Sequence, residues 1–226
     1  MSTSTQTQDI LQNGYQTLLM GYAAGILDEA QNLVVASHLT LSSKGRRLVQ
    51  DCEALGGALI EAECEPATMS NAALDNVLAR LDSGCEESAA CATECKNMPV
   101  DFDVPAPLQN TLAEQQKGKW ATLFPGMKAY DLELNCKQST ARFMQARPGL
   151  KSPHHHHRGM EITLVLDGAF TDETGAYKRG DLIVTDDTLE HTPVACKMQG
   201  CTCLVVTTAP IRLTGIASLL NPFLKP

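Results

Sequence analysis

PGLKSPHHHHRGMEITLVLDG, residues 148–168, sets four consecutive histidines between a Pro-Gly turn signal and an apolar run that opens with Glu161. Side chains of an extended chain alternate between two faces. A strand running from 155 to 161 therefore sends His155, His157 and Glu161 to one side, and His154 and His156 to the other. Two imidazoles and a carboxylate converging in this way form the beginning of a metal site. A third imidazole is offered by His191, which follows the strand DLIVTD (181–186) after the polar loop DTLE. Three neutral imidazoles with one carboxylate suit zinc, iron, manganese, nickel or copper better than calcium or magnesium. Purification tags also consist of histidines, but they sit at chain ends and this run is internal.

Around this stretch the hydrophobic period is two. MKAYDLEL (127–134), STARFMQA (139–146), DLIVTD and CLVVTT (203–208) are short runs punctuated by PG, DG, TG and RG pairs, the pattern of a β-sandwich or barrel. Cys201 and Cys203 share one face of the last run and read as barrel filling rather than a disulfide; if that face is the metal face, their oxidation disturbs the site.

Toward the N-terminus the period lengthens. Tyr15, Leu18, Leu19 and Tyr22 predict a short helix stopped at Gly25. Asp28 is placed to cap a second helix with Ala30, Leu33, Val34, Ser37 and Leu41 on one side. Leu48, Val49, Cys52, Leu55, Gly56 and Leu59 form the stripe of a third, and Ser70 precedes a fourth carrying Leu74, Val77, Leu78 and Leu81. Stripes this wide need cover, from one another or from a partner. Between the halves, CEESAACATECKNMPVDFDVPAP (85–107) has the composition of a linker, and Glu86, Glu87 and Glu94 are expected to raise the pKa of the incidental Cys85, Cys91 and Cys95. The expected organisation is thus a helical domain at 1–84, a linker at 85–107 and a metal-binding β domain at 108–226.

The 18 basic and 26 acidic residues give a net charge of -8, which disfavours binding to phosphate backbones and anionic membranes. No apolar stretch is long enough to span a bilayer, and MSTSTQTQDILQNGYQ lacks the pattern of a secretory signal, so a cytoplasmic location is expected. Nine cysteines, an odd number, then read as reduced thiols.

The histidine segment resembles the first cupin motif, a glycine followed by His-x-His, then Glu and a later Gly. GDLIVTDDTLEH (180–191) resembles the second motif, with Asp186 and Thr188 where Pro and Gly are common. This resemblance implies an all-β cupin (double-stranded β-helix, jelly-roll) barrel, following the small all-α N-terminal bundle that the helical stripes predict. It implies one divalent metal ion, zinc foremost with iron, manganese or nickel as alternatives, held by His155, His157, Glu161 and His191. A longer likeness spans nearly the whole chain. LLMGYAAGILDEAQNLVVASHLTLSSKGRRLVQDCEALGGALIE (18–61), LVLDGAFTDETGAYKRGDL (164–182) and APIRLTGIASLLNPF (209–223) are similar to ChrR-type anti-sigma factors. The resemblance implies a helical domain that grips a group IV (extracytoplasmic function) sigma factor and a cupin needed to release it under oxidative stress.

That family also binds a structural zinc in its helical domain through an early His and a His-x3-Cys-x2-Cys motif. Here His38 is followed by Ser42 and Gly45, and Asn13 stands for the early His. Neither a hydroxyl, a hydrogen nor an amide replaces these ligands, so no zinc is expected in this half. His38 is expected as a helix-surface or capping residue, with the helices held by contacts such as Leu33, Val34, Leu48 and Leu55. Two other readings are a metal-dependent cupin enzyme of dioxygenase or isomerase type, and a cupin whose helical domain serves to form a homodimer. The sequence contains no Ser-His-Asp or Cys-His pair, no phosphate loop and no dinucleotide fingerprint to name further catalytic groups.

Overall fold

The structure, a computed structural model, describes residues 3–82, 100–115, 118–136, 138–157, 159–209 and 211–213. For 3–7, 81–82, 156–157 and 211–213 it describes the backbone alone. The linker cysteines Cys85, Cys91 and Cys95, and Leu81's side chain, lie outside the described residues.

Four helices come first: α1 (Thr3–Ala23), α2 (Glu29–Leu41), α3 (Ser43–Glu63) and α4 (Ala73–Asp82). The first is 21 residues long, not the short helix expected from Tyr15 onward. Its N-terminal half was hidden by polar composition, but Leu11, Gly14 and Leu18 follow one another at helical spacing. Gly14 sits against the barrel, where an added Cβ would lie 3.1 Å from Val184 Cγ1. The helix ends as expected: Gly25 takes φ 68°, which favours glycine. Asp28 then caps α2 in a capping box with Gln31, each side chain accepting the other residue's backbone N–H, at 2.9 and 3.2 Å.

Of the α3 stripe, Val49 is buried and Leu48 and Cys52 are half-buried, but Leu55 and Leu59 are 61% and 55% exposed. Leu55 therefore does not help hold the helices together. A fifth helix, α5 (Ala106–Glu114), begins inside the stretch expected as linker, and Val104 and Leu108 join the core there. Proline at its start suits a helix N-terminus, where no intrahelical bond needs that N–H.

The β region comprises β1 (Ala121–Phe124), β2 (Met127–Asp131), β3 (Thr140–Ala146), β4 (His155–His157), β5 (Glu161–Thr171), β6 (Ala176–Lys178), β7 (Leu182–Thr185), β8 (Glu190–His191), β9 (Val194–Ala195), β10 (Cys201–Thr207) and β11 (Ile211–Leu213). The larger sheet runs β1-β2-β3-β10-β5-β6, with β7 and β9 also on β5, and a smaller sheet runs β11-β4-β8; all the pairings are antiparallel. Asp167-Gly168, expected as a turn, lies inside β5. The register against β10 shifts there and Gly168 takes φ 69°, so the pair bends one long strand from the β7 side to β6 and β9.

The alternation along β5 and β10 explains why both read as nearly unbroken apolar runs. Ile162, Leu164, Leu166, Leu204 and Val206 face a core shared with Leu19, Val34 and Val35 of the helices. Val165, Cys201, Cys203 and Val205 face a second core with Met127, Phe170 and Ile183. One face of the sheet is covered by helices and the other by the rest of the barrel, so both faces are apolar.

Candidate metal centre

His155 and His191 are direct cross-strand partners in the β4–β8 pair. Their Nε2 atoms are 3.1 Å apart and their ring centroids 4.6 Å. The partners of the other nitrogens fix the tautomers. His155 Nδ1 lies 2.8 Å from the Pro153 carbonyl, and His191 Nδ1 lies 3.1 Å from Asp172 Oδ2. A carbonyl and a carboxylate oxygen accept, so each Nδ1 carries the proton. The two Nε2 atoms then face one another at hydrogen-bonding distance, where a shared proton or a cation would sit between them.

Glu161 is coupled electrostatically to this pair. It is 7% exposed, accepts from Thr163 Oγ1 at 3.2 Å and feels the charge of both His191 and His155. Burial raises its pKa, and the two imidazoles offset only part of that effect. Thr185, its cross-strand partner, has a buried hydroxyl with no hydrogen-bond partner among the described residues. Two facing imidazole nitrogens and a carboxylate coupled to them electrostatically are of the donor types that suit a divalent ion.

The route to this geometry differs from the one expected. The chain is not extended from 155 to 161: β4 ends at His157, β5 starts at Glu161, and the two strands belong to different sheets. Sheet closure, not a single strand's parity, brings Glu161 to the imidazoles. His157 lies in β4 with its backbone paired to Ile211, and its side chain is outside the described residues. His154 points away as expected, 47% exposed, with Nε2 3.8 Å from Glu190. Among the described residues no three His, Cys, Asp or Glu side chains enclose an ion-sized point.

Asp172 belongs to the candidate site and is absent from the residues that the sequence singles out. Its side chain is 2% exposed, accepts from His191 Nδ1, and is itself held by the Thr174 backbone N–H and hydroxyl at 2.8 and 2.6 Å. Burial pushes its pKa up, but bonds from His191 and Thr174 outweigh that and leave it lowered. Burial likewise pulls His191 down, and the Asp172 bond and Glu161 charge leave it raised. Such a carboxylate orients a ligating imidazole and strengthens it as a donor. The only local signal was the Asx turn in Asp-Glu-Thr-Gly; nothing in it names a histidine 19 positions on.

Cys201 and Cys203 are buried on the interior face as expected, with sulfurs 3.4 Å apart. The Cys203 thiol is pushed well up by its hydrogen bond with Cys201, then by burial, with a contribution from Glu161.

Residues 108–210 match the family described as ChrR cupin-like domain. Over 210 residues, 92% of this chain and 95% of the relative, the sequence is 38% identical to anti-sigma-E factor ChrR of Cereibacter sphaeroides. The chain belongs to the ChrR family. The structure also resembles ChrR in the crystal structure of Rhodobacter sphaeroides SigE in complex with the anti-sigma ChrR, with 37% identity and a TM-score of 0.67 over 85% of this chain and 96% of that one. The order of a ChrR protein, helices first and cupin second, is the order seen here. No described helix is long and apolar enough to cross a membrane.

Proposed function

We infer that this chain is an anti-sigma factor whose helical half binds a group IV sigma factor, while its barrel holds one divalent metal ion and governs release under oxidative stress. The likeness to a protein named anti-sigma-E factor, across 92% of the chain, carries this reading. The exposed stripe supports it. Leu55, Leu59 and Ile60 on α3 and Leu74, Val77 and Leu78 on α4 are all exposed, and apolar helix faces left open in this way suit a protein partner.

His155, His157, Glu161 and His191 are the proposed ligands, with zinc the foremost ion. Four protein ligands close a tetrahedral zinc, which favours a structural or signalling role over hydrolysis. A signal at the barrel need change sigma affinity by only about 1–3 kcal/mol to redistribute the partner. The test is a pull-down with the full chain from its native cell. A sigma factor is expected before oxidative stress and a reduced yield after it; recovery of no sigma factor under any condition contradicts the reading.

A further inference from the structure

His38 lies where the helices meet the barrel, and it is not the surface or capping residue expected. It is 3% exposed. Its Nδ1 donates to the Gly180 carbonyl, 142 residues away, at 3.0 Å. That assigns the proton to Nδ1, so Nε2 accepts from the Tyr15 hydroxyl, also at 3.0 Å. The two rings meet edge to face, with centroids 5.6 Å apart.

The positions that would carry thiolates in a metal-binding relative serve other ends. Ser42 Oγ accepts from the Gly45 N–H as the N-cap of α3. Gly45 is pressed against the imidazole, where a Cβ would come 2.8 Å from His38 Nε2. Both ring nitrogens are therefore committed, and this donor set does not fit an ion. The opposite end of α2 is tied to the barrel as well: Ser139 Oγ donates to Asp28 Oδ2, and the Asn135 N–H to Glu29 Oε2, each at 2.6 Å.

We propose that Tyr15, His38 and the Gly180 carbonyl form a metal-free latch that fixes α1 and α2 on the barrel, so that the helical half takes its arrangement from the β6–β7 turn. The chain of bonds runs from α1 through α2 into that turn. Gly180 is in turn bonded to β5, its N–H donating to the Val165 carbonyl at 2.9 Å. Val165 lines the same interior core as Cys203, and Glu161 lies four residues earlier on the same strand. Any shift of β5 at the candidate metal centre thus moves the carbonyl on which His38 is anchored. On the reading of the helical half as sigma-binding, loosening this latch is how the barrel would weaken the grip.

Hydrogen exchange on the purified full chain, followed by mass spectrometry, tests the latch without any sigma factor, so its failure is separate from that of the pull-down. His38→Leu is expected to raise exchange about tenfold in α2 and in 178–184 together. In His38→Asn the side-chain amide donates from near the Nδ1 position, and exchange in 178–184 should stay within about twofold of wild type. Tyr15→Phe, which removes one hydroxyl and serves if His38→Leu does not fold, should raise exchange by more than about twofold in both segments. In His38→Leu or Tyr15→Phe, a rise confined to the helices or no rise in either segment overturns the proposal, as does a rise in 178–184 of His38→Asn that equals that of His38→Leu.

Discussion

Among the described residues, two histidine centres end in opposite chemistry. In the barrel, His155 and His191 each spend Nδ1 on an oxygen acceptor and leave Nε2 facing the other ring beside Glu161. In the helical half, His38 spends both nitrogens, one on Gly180 and one on Tyr15. Whether a buried imidazole serves as a ligand or as a hydrogen-bonded bridge is decided by what holds its second nitrogen.

Several measurements can break or sharpen that contrast. The largest effect is expected from His191→Ala, which removes one of two opposed donors. Its metal-to-chain ratio by elemental analysis should fall from about one to near zero, while His38→Leu keeps the ratio of the wild type. Asp172→Asn leaves every ligand in place but weakens the orientation of His191, and metal affinity by competition with a chelator should drop about 10–100-fold. On the other side of the contrast, His38→Leu leaves the Gly180 carbonyl and the Tyr15 hydroxyl without their partner. Denaturant unfolding should show a loss of about 1–3 kcal/mol.

The sequence made the barrel legible because period-two alternation, turn pairs and the His-x-His…Glu…His spacing all pointed the same way. It also located the caps at Gly25 and Asp28. It misjudged what depends on the other half of the molecule. The polar start of α1 is helical because Leu11 and Gly14 lie on the barrel, and Val104 is buried because helices and sheet close over it. Leu55 has the right spacing to be covered but is left exposed. Asp172 and Gly180 act through contacts whose sequence separation no local pattern encodes.

The smallest expected effect is pH-dependent. Burial lowers the pKa of His38 below its ordinary 6.5, and the Gly180 bond and Asp181 charge offset only part of this; Tyr15 is the other titratable group bonded to it. The unfolded chain therefore takes up this proton first as pH falls. The stability tied to His38 is intact above 6.5 and is lost as pH drops toward the lowered folded value. Between about pH 7.5 and 5.5 the wild-type Tm should fall more steeply than that of His38→Asn, a slope difference read by thermal unfolding.

The contrast between the centres is tested most directly by counting ions on the untagged, full-length protein produced with ample zinc. One ion per chain, retained in His38→Leu and lost in His191→Ala, is the result this account predicts. Two ions per chain, or one that persists in His191→Ala and disappears in His38→Leu, would contradict it.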